Sequence, residues 1–435
     1  MLFRSPPGVD FPRPAHGAIF DAMVQIWDRT ATLDVVQLNQ HLLDKGVLED
    51  VGGTAYLVEL AESSPTAAHA AEYARIVRDK ATMRELIRAA GEILAQAQGG
   101  GDEPQQVLEA AEQRIFAIAQ RRDGARFSSL QELLDHTLKV IDASDGKPFT
   151  GVPAGFAEFD EMTSGLQKGE MIILAARPSM GKTALALNMM ENVAAAGHPV
   201  AMFSLEMGRQ QLVQRILCAK GGIDSQRLRR NMLRKEDYRA LLAACEALQD
   251  CRIWIDDTPG LTLLSMRSKA RRLKEQHGIE AIFIDYLQLM SSGGRVESRQ
   301  MEVSEISRGI KAMARELEVP VICLSQLNRA AEQREGHKPR MSDLRESGSI
   351  EQDADVVLML HREEYYHQGD DDWLEANADK RGLAELIVAK QRNGPTGFVK
   401  VRWSGYCTRF DDLAQGGHAA PPAPHDWRET DADRN

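Results

Sequence analysis

The 435-residue chain has only five cysteines (Cys218, Cys245, Cys251, Cys323 and Cys407), and no two of them form a CxxC pair. The 11 histidines do not join them at zinc-ligand spacing. This excludes a disulfide-stapled secreted domain and suits a reducing compartment. An apolar run of membrane-spanning length is also missing, and the opening "MLFRSPPGVDFPRP" lacks the apolar core of a signal peptide. A soluble, intracellular protein is the expectation. Positive charge is not in excess either. The formal net charge is −11, so any nucleic-acid contact has to come from a local surface rather than from general basicity. No internal repeat is visible. What is present is length and apolar content: 43% hydrophobic residues can bury sizeable cores, and the chain is long enough for two or three domains.

The first part reads as helical. Ile19, Phe20, Met23, Ile26 and Trp27 recur at helical spacing, as do the apolar residues of "LLDKGVLEDVGGTAYLVELAE". Gly46, Gly52, Gly53 and Pro65 punctuate this part, and a long charged-apolar segment from about Ala67 ends at Gly99-Gly100-Gly101. A further helix follows in "PQQVLEAAEQRIFAIAQ". Residues 1–121 are therefore expected to form a small all-helical domain without a catalytic constellation. Residues 122–149 read as a linker carrying one amphipathic helix, opened by a Ser129-x-x-Glu132 capping box. Its stripe of Leu130, Leu133, Leu134, Leu138 and Ile141 packs either on its own domain or on a neighbouring subunit. From Gly151 short apolar runs alternate with helical stretches: "MIILAA", "PVAMFS", "AIFIDY", "PVICLS", "ADVVLML", "AELIVAK" and "FVKVRW". Continuous apolar runs of this kind suit strands covered on both faces, so residues 150–413 are expected to be an α/β domain with a mainly parallel sheet. Its last two strands should form a hairpin through "QRNGPTG". The Pro- and Gly-rich tail, residues 414–435, is expected to be disordered.

Ligands of an open parallel sheet bind beyond the carboxyl ends of its strands, so the residues ending the apolar runs carry the chemistry. "MIILAA" runs into "RPSMGKTALALN". A lysine at a helix start is electrostatically misplaced unless an anion sits there. Ser179, Met180, Gly181, Lys182, Thr183 and Ala184 are accordingly candidate nucleotide-binding residues. Lys182 would reach the terminal phosphates, and Thr183 would ligand Mg²⁺. Ala176 stands where the usual loop has its first glycine, which is tolerable where φ is negative. Glu206 follows the second run and is either a helix-start residue or a general base for an attacking water. Asp285 ends "AIFID", as a Mg²⁺-holding carboxylate or as a plain cap. Gln326 ends "PVICLSQ", as a γ-phosphate sensor or an ordinary strand end. Four such residues in one domain point jointly to an ATPase. Lys390 and Arg392, in the hairpin, are either surface cations or fingers reaching a neighbour's γ-phosphate.

With these residues identified, the chain resembles the DnaB family of replicative DNA helicases. The resemblance rests on "GVPAGFAEFDEMTSGLQKGEMIILAARPSMGKTALALN", "FSLEM", "IFIDYLQLM", "LSQLNR", "MSDLRESGSIEQDADVVLML" and "AKQRNGPTGFVKVRW", in family order from Thr150 to Leu413. The segment from "FPRPAHGAIFDAM" to "YARIVRDKA" is similar to the family's N-terminal domain. The resemblance implies a RecA-like motor domain in a hexameric ring, with ATP and Mg²⁺ held between subunits. It implies that Lys182 and Thr183 bind phosphate and magnesium, Glu206 is the general base, Asp285 the Walker-B carboxylate and Gln326 the γ-phosphate sensor. Lys390 and Arg392 match the family's trans-acting pair, and alanine at the Ala176 position also matches the family. The linker helix is expected to dock on the adjacent motor domain.

Contact with single-stranded and forked DNA is implied for two pore loops, "SSGGRVESRQ" and "DLRESGS", with Arg345, Glu346 and Gly348 at matching contact positions. Backbone contact of that kind suits a motor indifferent to base sequence. Translocation from 5′ to 3′, a helicase loader and primase are further implied partners or properties, with no membrane. Family members carry a helical segment before the "FPRPAH" region, so the N-terminal domain is expected to be shortened at its start. A RecA-like recombinase or switch ATPase, or a DNA-binding scaffold with a vestigial ATPase, are the competing readings.

Overall fold

The computed structural model describes residues 10–63, 70–99, 104–122, 149–290, 298–334, 336–367 and 369–413, with a few positions between 130 and 138. Its contacts divide the chain into two compact units, Met1–His136 and Thr137–Asn435.

The first unit is helical: Pro14–Thr30, Val35–Asp44, Gly53–Glu62, Ala70–Gln98 and Pro104–Arg122. Pro14 opens the first helix, where its fixed φ and missing N–H cost nothing. Asp34 caps the second by accepting from the Gln37 N–H at 2.7 Å. Gly52, at φ +104°, starts the third. Ile19, Ala22, Ile26, Leu38, Leu42, Leu48, Val51 and Leu57 form its core. The expected linker helix over Phe127–Ile141 lies mostly outside the described residues. Leu130, Leu134 and Leu138 are described and are exposed, while Leu133 and Ile141 are not. The tail 414–435 also lies outside them.

The second unit is a nine-stranded sheet, in the order β3-β2-β4-β5-β1-β6-β7-β8-β9. The strands are β1 Met171–Ala176, β2 Val200–Ser204, β3 Ile253–Asp256, β4 Ala281–Asp285, β5 Val321–Gln326, β6 Val356–His361, β7 Leu383–Gln391, β8 Gly397–Ser404 and β9 Arg409–Asp412. β3, β2, β4, β5, β1 and β6 are parallel, and β7, β8 and β9 continue antiparallel. Alternate residues of β1 feed two cores. Ile172, Leu174 and Ala176 face one side with the helix Lys182–Ala195. Met171, Ile173 and Ala175 face the other with the helices Leu263–His277 and Arg299–Leu317. Both faces are therefore covered, which is why the runs read as continuously apolar. All seven expected strands are present. β3 and β9 were not expected from the sequence, since each is a four-residue edge strand with acidic residues and incomplete burial. Among the described residues no helix is long and apolar enough to cross a membrane.

Candidate active site

The register brings the strand ends into one row. Ala176 pairs with Gln326 across β1 and β5, and Ser204 pairs with Asp285 across β2 and β4. β2, β4, β5 and β1 are neighbours in that order, so the loop after Ala176, Glu206, Asp285 and Gln326 emerge from four adjacent strands. Gln326 is exposed at its strand end, and Glu206 is exposed two residues past β2. The "SLEM" turn is shaped locally: the Ser204 hydroxyl donates to the Met207 carbonyl at 2.7 Å, and Leu205 N–H donates to the Asp285 carbonyl at 2.7 Å.

Ala176 is the last residue of β1, and its φ is not among the positive ones. Glycine is therefore not required there. Beyond it Ser179 has φ +64° and Gly181 φ +100°, and Gly181 caps the helix Lys182–Ala195. The first turn of that helix has no acidic side chain, so its N–H groups face the loop without a resident anion from that turn. The Thr183 hydroxyl donates to Asp285 Oδ2 at 2.9 Å. Asp285 is fully buried, and its Oδ1 has no hydrogen-bond partner among the described residues. Burial raises the Asp285 pKa, opposed by Lys182 and the Thr183 hydrogen bond. Burial lowers that of Lys182, opposed by Asp285 and Glu206. The Lys182 ammonium lies 4.7 Å from the centroid of the Tyr286 ring. A solvent-poor cation, an orphaned carboxylate oxygen and a hydroxyl beside it form a donor set that suits a hard divalent ion bound with phosphate.

Two arginines that sequence reasoning missed bracket this loop. Arg177 is buried, with Nε 2.7 Å from Glu332 Oε1 and Nη1 donating to the Leu327 carbonyl at 2.6 Å. It fixes the loop to the chain following Gln326. Arg362, just past β6, donates to the Met180 carbonyl at 3.4 Å and lies 4.6 Å over the Trp403 ring. Trp403 in turn packs 4.4 Å from Phe410. Arg177 follows the β1 run and opens the loop, and Arg362 follows β6, but what each holds is set by long-range contacts that the sequence does not show.

Lys390 and Arg392 stand elsewhere. Lys390 pairs with Val357 near the start of β6, and Arg392 N–H donates to the Asp355 carbonyl at 2.9 Å. Asp355 N–H in turn donates to Met171, the first residue of β1. The two cations therefore lie at the amino end of the sheet. The five steps along the six residues of β1, at about 3.3 Å each, separate them by roughly 17 Å from the loop at its carboxyl end.

The helices that follow the two stretches expected to contact DNA are hydrogen-bonded to one another. Residues 291–297 of the first lie outside the described residues. The second is a 3₁₀ turn, Met341–Ser347, followed by the helix Gly348–Asp353. The backbone of Arg345, Glu346 and Gly348 runs through it, and the side chains of 345–348 lie outside the described residues. Ser304 donates to Ser349 at 2.8 Å, and Ser307 to Asp353 at 2.7 Å. These bonds pin the helix after the second stretch to Arg299–Leu317, the helix after the first.

Comparison with known proteins agrees in both units. Residues 151–412 match the DnaB-like helicase C terminal domain, and residues 7–79 match the DnaB-like helicase N terminal domain. The chain is 46% identical over 409 residues to the replicative DNA helicase DnaB of Geobacillus stearothermophilus, covering 93% of this chain and 88% of that one. It is 40% identical over 417 residues to that of Haemophilus influenzae, covering 93% and 87%. A solved DnaB-like replicative helicase, described with its interactions with primase, superposes with a TM-score of 0.73 at 32% identity, covering 94% of both chains. A second solved structure, an isolated ATPase domain, superposes with a TM-score of 0.61 at 38% identity, covering 66% of this chain and 100% of that one.

Proposed function

This chain belongs to the DnaB family of replicative DNA helicases and is an ATP-dependent DNA helicase, and from that premise we propose how its residues divide the work. The recombinase and scaffold readings fall away with that membership. The loop Ser179–Ala184 cradles the phosphates of ATP, with Lys182 on the terminal ones. Thr183 and Asp285 hold Mg²⁺, a reading supported by the hydroxyl–carboxylate contact and the orphaned Oδ1. When bound, the ion supplies neutralisation of phosphate charge. Glu206, exposed beside that carboxylate, orients and deprotonates the attacking water. Gln326, level with Ala176, senses the γ-phosphate. Arg362, buried between the Met180 carbonyl and the Trp403 ring, braces the loop from the side of β6.

Lys390 and Arg392 act on the nucleotide of an adjacent subunit. The observation that carries this reading is their separation from their own loop by the length of β1. A guanidinium side chain spans far less than roughly 17 Å, so a finger at the amino end cannot serve its own chain. Sites completed in trans suit a homohexameric ring. Single-stranded DNA is held in the channel by the backbone and side chains around Arg345, Glu346 and Gly348, and by the stretch preceding Ser298. The outward surface stays acidic, in keeping with the net charge of −11. We read the direction as 5′ to 3′, the fork as the substrate, and the helical unit as the surface for primase and a loader.

The test is unwinding of forked DNA together with mass measurement of the assembled particle. Wild-type chain should form a six-copy particle and unwind forks with a 5′ single-stranded arm. Lys182→Ala should abolish hydrolysis and unwinding. Unwinding retained by that variant would overturn the site assignment.

A further inference from the structure

The side chains of Lys390 and Arg392 are engaged within their own chain. The Lys390 ammonium donates to the carbonyls of Glu351 and Ala354 at 2.6 and 2.8 Å, and Arg392 Nη2 donates to that of Gln352 at 2.6 Å. These carbonyls end the helix Gly348–Asp353, where cations are favoured. The buried carboxylate at the centre of the cluster belongs to Asp355. Its Oδ2 accepts from the Met171 N–H at 2.8 Å and pairs with Lys311. Its Oδ1 faces Arg392 Nη1 at 3.5 Å. The main chain adds two more links, from Asp355 N–H to the Met171 carbonyl and from Arg392 N–H to the Asp355 carbonyl, both at 2.9 Å. Asp355 is thus fixed to the first residue of β1 on both sides, and Arg392 is fixed to Asp355.

One oxygen of this carboxylate already serves Lys311 and the strand. A residue needed only to neutralise the half-buried Lys311 has no use for a second cation against its other oxygen. The exposures point the same way: the Asp355 side chain is 6% exposed and that of Arg392 is 44% exposed. The guanidinium is held from within and left open outward. We propose that Asp355 is a positioning residue that aims Arg392, and through the adjoining carbonyls Lys390, at the phosphates of the neighbouring subunit. It touches neither ATP nor the reacting atoms. This rests on the trans reading of Arg392, and the test separates the two.

Rings are assembled from two differently tagged full-length chains and purified through both tags. One chain carries Lys182→Ala, which destroys its own loop but leaves its fingers intact. The other carries either Arg392→Ala or Asp355→Asn. Where a chain with an intact loop meets the fingers of a Lys182→Ala chain, a complete site results. Both mixtures should therefore hydrolyse ATP well above the sum of their homogeneous rings. Asp355→Asn rings alone should keep KM for ATP within about twofold while kcat falls on the order of 100-fold, as for a misplaced group. The double variant Asp355→Asn with Lys311→Met removes the ammonium left without a counter-ion and should behave alike, which covers poor folding of the single variant. Recovery with Arg392→Ala but not with either Asp355 variant would overturn this inference alone. Recovery with neither would overturn the trans reading and this inference with it.

Discussion

At Gly181 two independent demands meet on one residue. Its φ is +100°, and a Cβ there would stand 3.0 Å from the Phe410 ring and 3.4 Å from Trp403. Gly181→Ala should therefore destabilise the protein by about 1–3 kcal/mol, measured by urea unfolding, and weaken ATP binding in proportion as the loop is displaced. His361 makes a different prediction. It is buried at the end of β6, its Nε2 has no partner among the described residues, and burial holds its pKa below the ordinary 6.5. A base with a depressed folded pKa contributes stability that is complete above the unfolded value and is lost as pH falls through the folded one. Unfolding free energy should thus drop below about pH 6.5, with a slope of at most about 1.4 kcal/mol for each pH unit. His361→Gln should remove that part of the slope when the two proteins are compared at about pH 7.5 and about pH 5.5, on either side of the ordinary histidine value.

Among the elements, the helix Gly348–Asp353 has little to hold it by itself. Six residues make fewer than two turns, and isolated helices of that length are unstable. Its order comes from Ser304 and Ser307 on one side and from the cations Lys390 and Arg392 at its carboxyl end. Ser307→Ala leaves the Asp353 carboxylate without its buried donor and should cost about 1–2 kcal/mol. Stimulation of ATP hydrolysis by single-stranded DNA should fall more than the basal rate; equal loss of both would detach this helix from DNA contact. The same elements show what a sequence carries. The strand ends were legible because each buried run of β1, β2, β4 and β5 runs out at or just before a polar residue, and burial and polarity are local properties. β3 and β9 were not, because a four-residue edge strand has too little apolar pattern to register. The roles of Arg177 and Arg362 were not legible for another reason: their carbonyl partners Leu327 and Met180 lie 150 and 182 residues away. The family resemblance supplied Arg345, Glu346 and Gly348, which no charge pattern announces.

At the scale of the whole molecule, the phosphate-binding loop and the Lys390–Arg392 pair lie at opposite ends of one sheet. On the proposed reading a lone subunit has a loop without fingers and fingers without a loop, so hydrolysis per chain should fall steeply on dilution below the assembly concentration. A rate per chain independent of dilution, with dissociation followed by light scattering, would refute it. The placement of Arg392 at the far end of β1 also has a hereditary meaning. On the trans reading, a lesion there is expressed in a different copy of the protein from the one that bears it, because the defective site belongs to the neighbour. On that reading, a mixed ring would work at a damaged chain's own loop wherever sound fingers face it, and fail at the loop that the damaged fingers face. Every mixed ring would contain sound chains rendered silent by the company they keep.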